Sequence, residues 1–237
     1  MFYTNVLPFG NYIALRGIDS NGMSFRRKVR YDPTLFVPSQ KPSNWKTLDN
    51  KNVSPVKWGS MKETREAMRS YPGDVFGIEG FQYSYIAENY HGMVDYDLSK
   101  IKIAFIDIET SSEYGFPNIR EANEEVLAIS IKIGDDFKVY GCGEYEPTDG
   151  VMYVKCRDES QLLEYFIRDW SADYPDIVTG WNSRFFDIPY LMNRIIRILG
   201  EKPAQKMSPW GWYKTNEVTL VGNRKQQIYD IVGVSSI

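Results

Sequence analysis

Lys102-Ile103-Ala104-Phe105-Ile106-Asp107-Ile108-Glu109-Thr110 is the stretch on which the reading of this 237-residue chain turns. An apolar, β-branched run delivers two carboxylates, one residue apart, at its far end. Side chains alternate faces along a strand, so Asp107 and Glu109 point the same way. Two acids on one face of a strand end make a poor core. They make good ligands for hard cations such as Mg²⁺ or Mn²⁺. The plainer alternative is that both acids open a solvated loop, and the pair alone does not separate the two readings.

The rest of the composition narrows the field. With 43% apolar and 25% charged residues the chain is an ordinary globular protein, long enough for one large domain or two small ones. No apolar run is long enough to span a membrane, and the N-terminus has no signal-peptide pattern. A membrane partner is therefore not expected. Cys142 and Cys156 fit no disulfide framework or zinc motif, which points to a reducing cytoplasm and to inert thiols. His91 is the single histidine and reads as a surface residue, so any chemistry falls to carboxylates. Aromatics reach 15%, a supply of rings for base stacking or for cores. Residues 1–100 carry a net charge of +3 and residues 101–237 a net charge of −6, an asymmetry consistent with two domains, one suited to phosphates and one to metal.

Residues 1–97 read as a small β-rich domain. Tyr12–Ile18 and Ser24–Tyr31 form two strands around the Asp19-Ser20-Asn21-Gly22 turn, whose Asn and Gly tolerate positive φ. Arg26, Lys28 and Arg30 share one face of the second strand, a solvated outer face or a backbone contact to nucleic acid. Pro38 to Pro55, rich in Pro, Ser, Asn and Lys, reads as a loop. Ser60-Met61-Lys62-Glu63 fits a capping box for a helix ending near Ser70, and Tyr83–Ala87 reads as a strand. Asp95 to Lys100 is the expected boundary.

Residues 98–237 show a clearer order. After the strand ending at Glu109 comes a loop, Ser111 to Glu125, containing Tyr114, Gly115, Phe116, Pro117 and Asn118. Val126–Ile133 and Phe137–Gly141 are strands joined by Gly134-Asp135-Asp136, and Val151–Lys155 is a further short one. Leu162, Leu163, Phe166 and Trp170 recur at helical spacing from Asp158 to before Pro175. Asp176 to Asn182 is a strand that breaks at Gly180. A second helix carries Ile188, Leu191, Met192, Ile195 and Leu199 on one face and stops at Gly200. A meander feeding α/β units resembles the ribonuclease H-like fold, a mixed sheet with flanking helices. Sites in such sheets lie at strand ends, where Asp107 and Glu109 fall.

A second acidic motif, Gly180-Trp181-Asn182-Ser183-Arg184-Phe185-Phe186-Asp187-Ile188-Pro189-Tyr190-Leu191, lies between that strand and that helix. Read alone, Asp187 is a helix N-cap followed by a first-turn proline. The pair of motifs is more specific. Asp-Ile-Glu-Thr ending a strand, with Trp-Asn-x-x-x-Phe-Asp-x-Pro-Tyr following, resembles the first two exonuclease motifs of family B DNA polymerases. Tyr31-Asp32-Pro33-Thr34-Leu35-Phe36, Phe186–Arg194, Arg197–Glu201 and Gly233–Ile237 are similar to segments of the replicative polymerases of large tailed phages. The likeness spans nearly the whole chain and is looser before residue 100.

The resemblance implies that residues 98–237 form a 3′→5′ proofreading exonuclease domain. Asp107, Glu109 and Asp187 would hold two Mg²⁺ or Mn²⁺ ions, and Asn182 and Phe186 would grip a single-stranded 3′ end of DNA. Phe116 would stack near the terminal bases. Trp212 to Tyr229, with its Gly222-Asn223 turn, is similar to the hairpin that parts template from primer. Residues 1–97 would be the N-terminal domain, which in some phage relatives contacts RNA. Two metals about 4 Å apart hydrolyse a phosphodiester without a histidine, and clustered carboxylates stay ionised together when a cation offsets their repulsion.

One departure bears on activity. The family's third exonuclease motif, a Tyr and an Asp on a later helix, does not occur before Ile237, and Asp230 reads as a strand residue rather than its substitute. The polymerase module is absent as well. The exonuclease domain is thus expected to be C-terminally incomplete and weak or inactive by itself, completed by the remainder of a polymerase from the same gene or a separate subunit. The rival readings are a non-catalytic nucleic-acid-binding or polymerase-docking module that keeps the fold, and a plain α/β protein whose acids only cap.

Overall fold

The computed structural model describes residues 1–113, 115–219, 222–223 and 225–237. Tyr114 of the expected loop and Leu220, Val221 and Arg224 of the expected hairpin lie outside the described residues. The chain divides into two compact units, Met1–Tyr96 and Asp97–Ile237.

In the first unit, β1 (Phe2–Phe9), β2 (Tyr12–Ile18) and β3 (Ser24–Arg30) form an antiparallel meander in that order. The Asp19–Gly22 turn is closed by the Gly22 amide donating to the Asp19 carbonyl at 3.1 Å, and Asp19 Oδ1 accepts from the Asn21 and Met23 amides at 2.9 Å. Arg26, Lys28 and Arg30 are exposed, as either reading of that face requires. A second sheet consists of β4 (Leu35–Pro38), β5 (Trp45–Lys46) and β6 (Asn52–Val56), with β6 central. The stretch expected to be a loop therefore holds two strands. They are short, and Asn52 and Pro55 of β6 hide the alternation that puts Val53 in the interior. α1 (Met61–Ser70) starts as expected, the Ser60 hydroxyl accepting from the Glu63 amide at 3.2 Å and donating to Glu63 Oε2 at 2.8 Å. The expected strand at Tyr83–Ala87 is instead α2 (Phe81–Asn89). Its buried residues, Phe81 and Tyr85, are one helical turn apart, and they join Val6, Ile13, Leu15, Tyr31 and Met61 in one core. The Tyr83/Tyr85 alternation that mimicked a strand leaves Tyr83 in solvent.

The second unit opens with a 3-10 turn, Leu98–Lys100, capped by Asp97. Its frame comprises β7 (Ile103–Thr110), β8 (Val126–Ile133), β9 (Asp136–Gly141), β10 (Val151–Lys155), α3 (Glu159–Ala172), β11 (Ile177–Thr179), α4 (Asp187–Leu199), α5 (Glu201–Gln205), β12 (Tyr213–Thr219), β13 (Lys225–Ile231) and β14 (Ser235–Ser236). Six strands make one mixed sheet in the order β10-β9-β8-β7-β11-β14. β7, β8 and β9 pair antiparallel in sequence, while β11 runs parallel to β7 and to β14, and β10 runs parallel to β9. β12 and β13 pair antiparallel as a separate hairpin. β14 was not expected as a strand.

Alternation along β7 decides which face is covered. Ala104, Ile106 and Ile108 are buried, with Ile131 and Ile129 of β8 opposite Ile106 and Ile108. They share a core with Leu162, Phe166 and Trp170 of α3 and with Ile188, Leu191 and Ile195 of α4, so both long helices pack on that face. Ile103, Phe105, Asp107 and Glu109 are on the other face and exposed.

β11 stops at Thr179, so the strand breaks at Gly180 as the residue pattern implied. A Cβ on Gly180 would lie 2.2 Å from the Ile106 carbonyl oxygen of β7, so the chain can leave the strand here only without a side chain. Gly180→Ala should therefore push the end of β11 off β7 and lower stability by about 1–3 kcal/mol, measurable by urea unfolding.

Candidate active site

The departure of β11 leaves the edge of β7 partly unpaired, and Asp187 fills the gap. Oδ1 of Asp187 accepts the Ile108 backbone N–H at 3.1 Å, taking the bond a strand partner would otherwise make. Ile108 is the residue between Asp107 and Glu109, so the third acid is moored to the main chain that carries the other two. Asp187 is also the first residue of α4 rather than its N-cap; Phe186 holds the cap position without a side-chain bond. The capping role that the residue type allows is thus not the one adopted.

Asp187 is only 2% exposed. Burial, reinforced by the charges of Asp107 and Glu109 and opposed by the Ile108 and Asp187 amides, lifts its carboxyl from 3.8 to about 6. That both acids act on Asp187 places all three in one electrostatic neighbourhood. Among the described residues, no group of three or more His, Cys, Asp or Glu side chains is arranged so that it could hold a metal ion. The acids are thus gathered at one strand end without forming a coordination sphere. The residue types alone suit a hard divalent ion: three carboxylates, one of them raised chiefly by burial and further by the charges of the other two, a repulsion a cation would offset.

Aromatic side chains line the approach. Phe116, 80% exposed, places its ring 5.2 Å from that of Phe186, which stacks in turn on Tyr190 at 5.7 Å. Asn182 is exposed with φ of 61°, and its carbonyl accepts from the Phe185 and Phe186 amides at 3.0 and 2.8 Å. The positive φ turns the chain back so that α4 can start beside β7.

α4 also holds the loop that carries Phe116. Asn193 Nδ2 donates to the Ile119 carbonyl at 2.8 Å and the Tyr190 hydroxyl to the Glu124 carbonyl at 2.6 Å. Arg194 Nη1 donates to the Ala122 and Asn123 carbonyls at 2.9 and 2.8 Å. Its other nitrogens form a two-pronged bond to Glu159 of α3 at 2.6 Å each, and Glu159 accepts the Val126 amide at 2.7 Å. From β13, the Tyr229 hydroxyl donates to Asn193 Oδ1.

The chain matches a family model described as DNA polymerase family B, exonuclease domain, over residues 40–237. It belongs to that family. The DNA-directed DNA polymerase of Enterobacteria phage T4 is 33% identical across 99% of this chain and 29% of its own length. The DNA-directed DNA polymerase of Escherichia phage RB69 is 29% identical across 99% of this chain and 30% of its own. A DNA polymerase of Archaeoglobus fulgidus is 26% identical over 48% of the chain. The chain thus spans under a third of the length of the phage relatives.

Within this family B exonuclease domain, Asp107, Glu109 and Asp187 come to one strand end, and Phe116 and Phe186 meet. Asn182 lies in the same turn as Phe186. Asp230 is an exposed strand residue bonded to Asn216. Cys142 and Cys156 are free, and burial pushes both thiols up, away from reactivity. Arg194 and Asn193 were quoted in the sequence only as part of a resembling segment; the ion pair and carbonyl bonds that give them a role join residues far apart in the chain. Among the described residues, no helix is long and apolar enough to cross a membrane.

Proposed function

We propose that residues 98–237 are a ribonuclease H-like 3′→5′ exonuclease domain that removes the terminal nucleotide of a single DNA strand during replication, and that residues 1–97 are a separate β-rich domain. The observation that carries the reading is the Asp187 carboxylate bonded to the amide between Asp107 and Glu109. Asp107, Glu109 and Asp187 are the residues that would hold Mg²⁺ or Mn²⁺. Two such ions, when bound, supply the positive charge that stabilises the attacking and leaving oxygens of a phosphodiester. Phe116 and Phe186 grip the terminal bases by stacking, with little sequence preference, and Asn182 orients the end. The β12–β13 hairpin holds the two strands apart. DNA, the remainder of a polymerase, and RNA at residues 1–97 are the partners, in the host cytoplasm.

Metal binding tests this. Mn²⁺ in hundredfold excess over its Kd should raise the stability of the wild type by about 2.7 kcal/mol, read from unfolding curves with and without the ion. Asp107→Ala should abolish most of that gain. An undiminished gain in Asp107→Ala would remove the acids from the metal site. A strand-binding module without hydrolysis is the second reading, favoured by the lack of a formed three-carboxylate arrangement among the described residues. It requires single-strand binding that ignores Mn²⁺ and Asp107→Ala alike.

A further inference from the structure

A cleft of about 570 Å³ runs between the loop bearing Phe116 and the β12–β13 hairpin. Phe116, Pro117 and Arg120 lie on one wall and Lys225, Gln226 and Gln227 on the other. Glu217 of β12 is paired with a cation from each wall at once. One carboxylate oxygen meets Arg120 Nη2, and the other lies 3.0 Å from Lys225 Nζ. Lys225 and Arg120 hold the Glu217 carboxyl below its ordinary value. All three side chains are well exposed, at 57%, 69% and 41% for Arg120, Lys225 and Glu217, so this is a loose surface arrangement. Isolated pairs of this kind contribute little to stability. The loop wall is held independently by Asn193 and Arg194, so it does not rely on Glu217 for its shape.

We propose that Arg120 and Lys225 form a subsite for the phosphodiester backbone of single-stranded DNA, and that Glu217 occupies it as an internal anion which an incoming phosphate displaces. The inference rests on the strand-binding part of the function proposed above. The geometry favours it in three ways. A carboxylate bridging a guanidinium and an ammonium sits where a phosphate oxygen would make the same two charge-assisted bonds. Arg120 and Lys225 both line the cleft, one on each wall. The cleft also leads to Phe116, so a strand whose backbone lies between Arg120 and Lys225 delivers its bases to the exposed ring. Glu217 then acts as a filter: a weak or isolated anion does not displace it, whereas a strand that also stacks does.

The test is a binding cycle in EDTA, using fluorescence anisotropy of a labelled oligothymidylate over a range of salt concentrations. Glu217→Gln should tighten binding about threefold to tenfold at low salt, because two cations become available for phosphates. Arg120→Gln and Lys225→Gln should each weaken binding and flatten the dependence of log K on log salt by about 0.7. In the Arg120→Gln/Lys225→Gln background, Glu217→Gln should bring no gain. Glu144→Gln removes the same charge from a pair with Lys155 elsewhere on the unit and should leave affinity unchanged. A gain from Glu217→Gln that persists without the two cations, an equal gain from Glu144→Gln, or no strand binding by the wild type and Glu217→Gln would each overturn the subsite. Melting curves of every variant confirm that the fold is retained. Because EDTA removes divalent ions, failure here leaves the Mn²⁺ experiment standing, and failure there leaves this one.

Discussion

In EDTA, Asp187→Asn should gain stability relative to the wild type as pH rises from about 4 to 7. The cause is the carboxyl that β7 and α4 enclose. Its ordinary value is 3.8, and in the folded chain it stands at about 6. A group whose folded value is raised favours the protonated form in the folded state. Its contribution is fully present below the unfolded value, near pH 4, and is lost as pH rises through about 6. The gap corresponds to roughly 3 kcal/mol. Asparagine keeps an acceptor for the Ile108 amide, so the substitution removes the charge while leaving that bond available. At pH 8 without divalent ions, Asp187→Asn should therefore be more stable than the wild type by a few kcal/mol, read from urea midpoints. Adding Mn²⁺ should reverse the order. A wild type and variant that unfold identically from pH 4 to 8 would show that Asp187 carries no buried charge. A site that destabilises its own fold at neutral pH is what a cation-binding role leads one to expect.

Breaking the Arg194–Glu159 pair should have the largest effect on the fold. Both side chains are 8% exposed, and both are fully engaged. Arg194→Met would strand the Glu159 charge in the interior and leave the Ala122 and Asn123 carbonyls without their donor. Removing one partner of a buried pair costs about 3–5 kcal/mol. Glu159→Gln should cost less, because its one oxygen still accepts from Arg194 Nε and the Val126 amide, and Arg194 keeps its bonds to the Ala122 and Asn123 carbonyls. The double variant Arg194→Met/Glu159→Gln should recover part of the loss of Arg194→Met, which guanidinium unfolding would resolve. No recovery would mean that the carbonyl bonds, rather than the stranded charge, account for the cost.

How much of this was legible in the residues follows from what each signal reports. β8 runs from Val126 to Ile133 as its apolar run bounded by turn residues implied. α3 and α4 follow from apolar spacing and from Gly200, whose φ of 92° ends the second of them. α2 was misread because Tyr83 and Tyr85 alternate, and only packing shows that Phe81 and Tyr85 are the buried pair. β5 has two residues, too few for any pattern. At the site, residue types and motif spacing named the acids. They could not show that Asp187 takes the bond β11 gives up, since that depends on where a strand stops. The Glu159–Arg194 clamp and the Arg120–Glu217 half of the surface bridge join residues 35 and 97 positions apart, which local patterns do not encode.

α4 begins with Asp187, and its following turns hold the loop of Phe116 through Tyr190, Asn193 and Arg194. Acid and aromatic wall are thus mounted on one rigid rod. When thermal motion rocks that rod, both ride with it, and the spacing between them is disturbed less than if each had its own support. Precision at the strand end then depends less on how still the helix is than on how firmly its cargo is fastened.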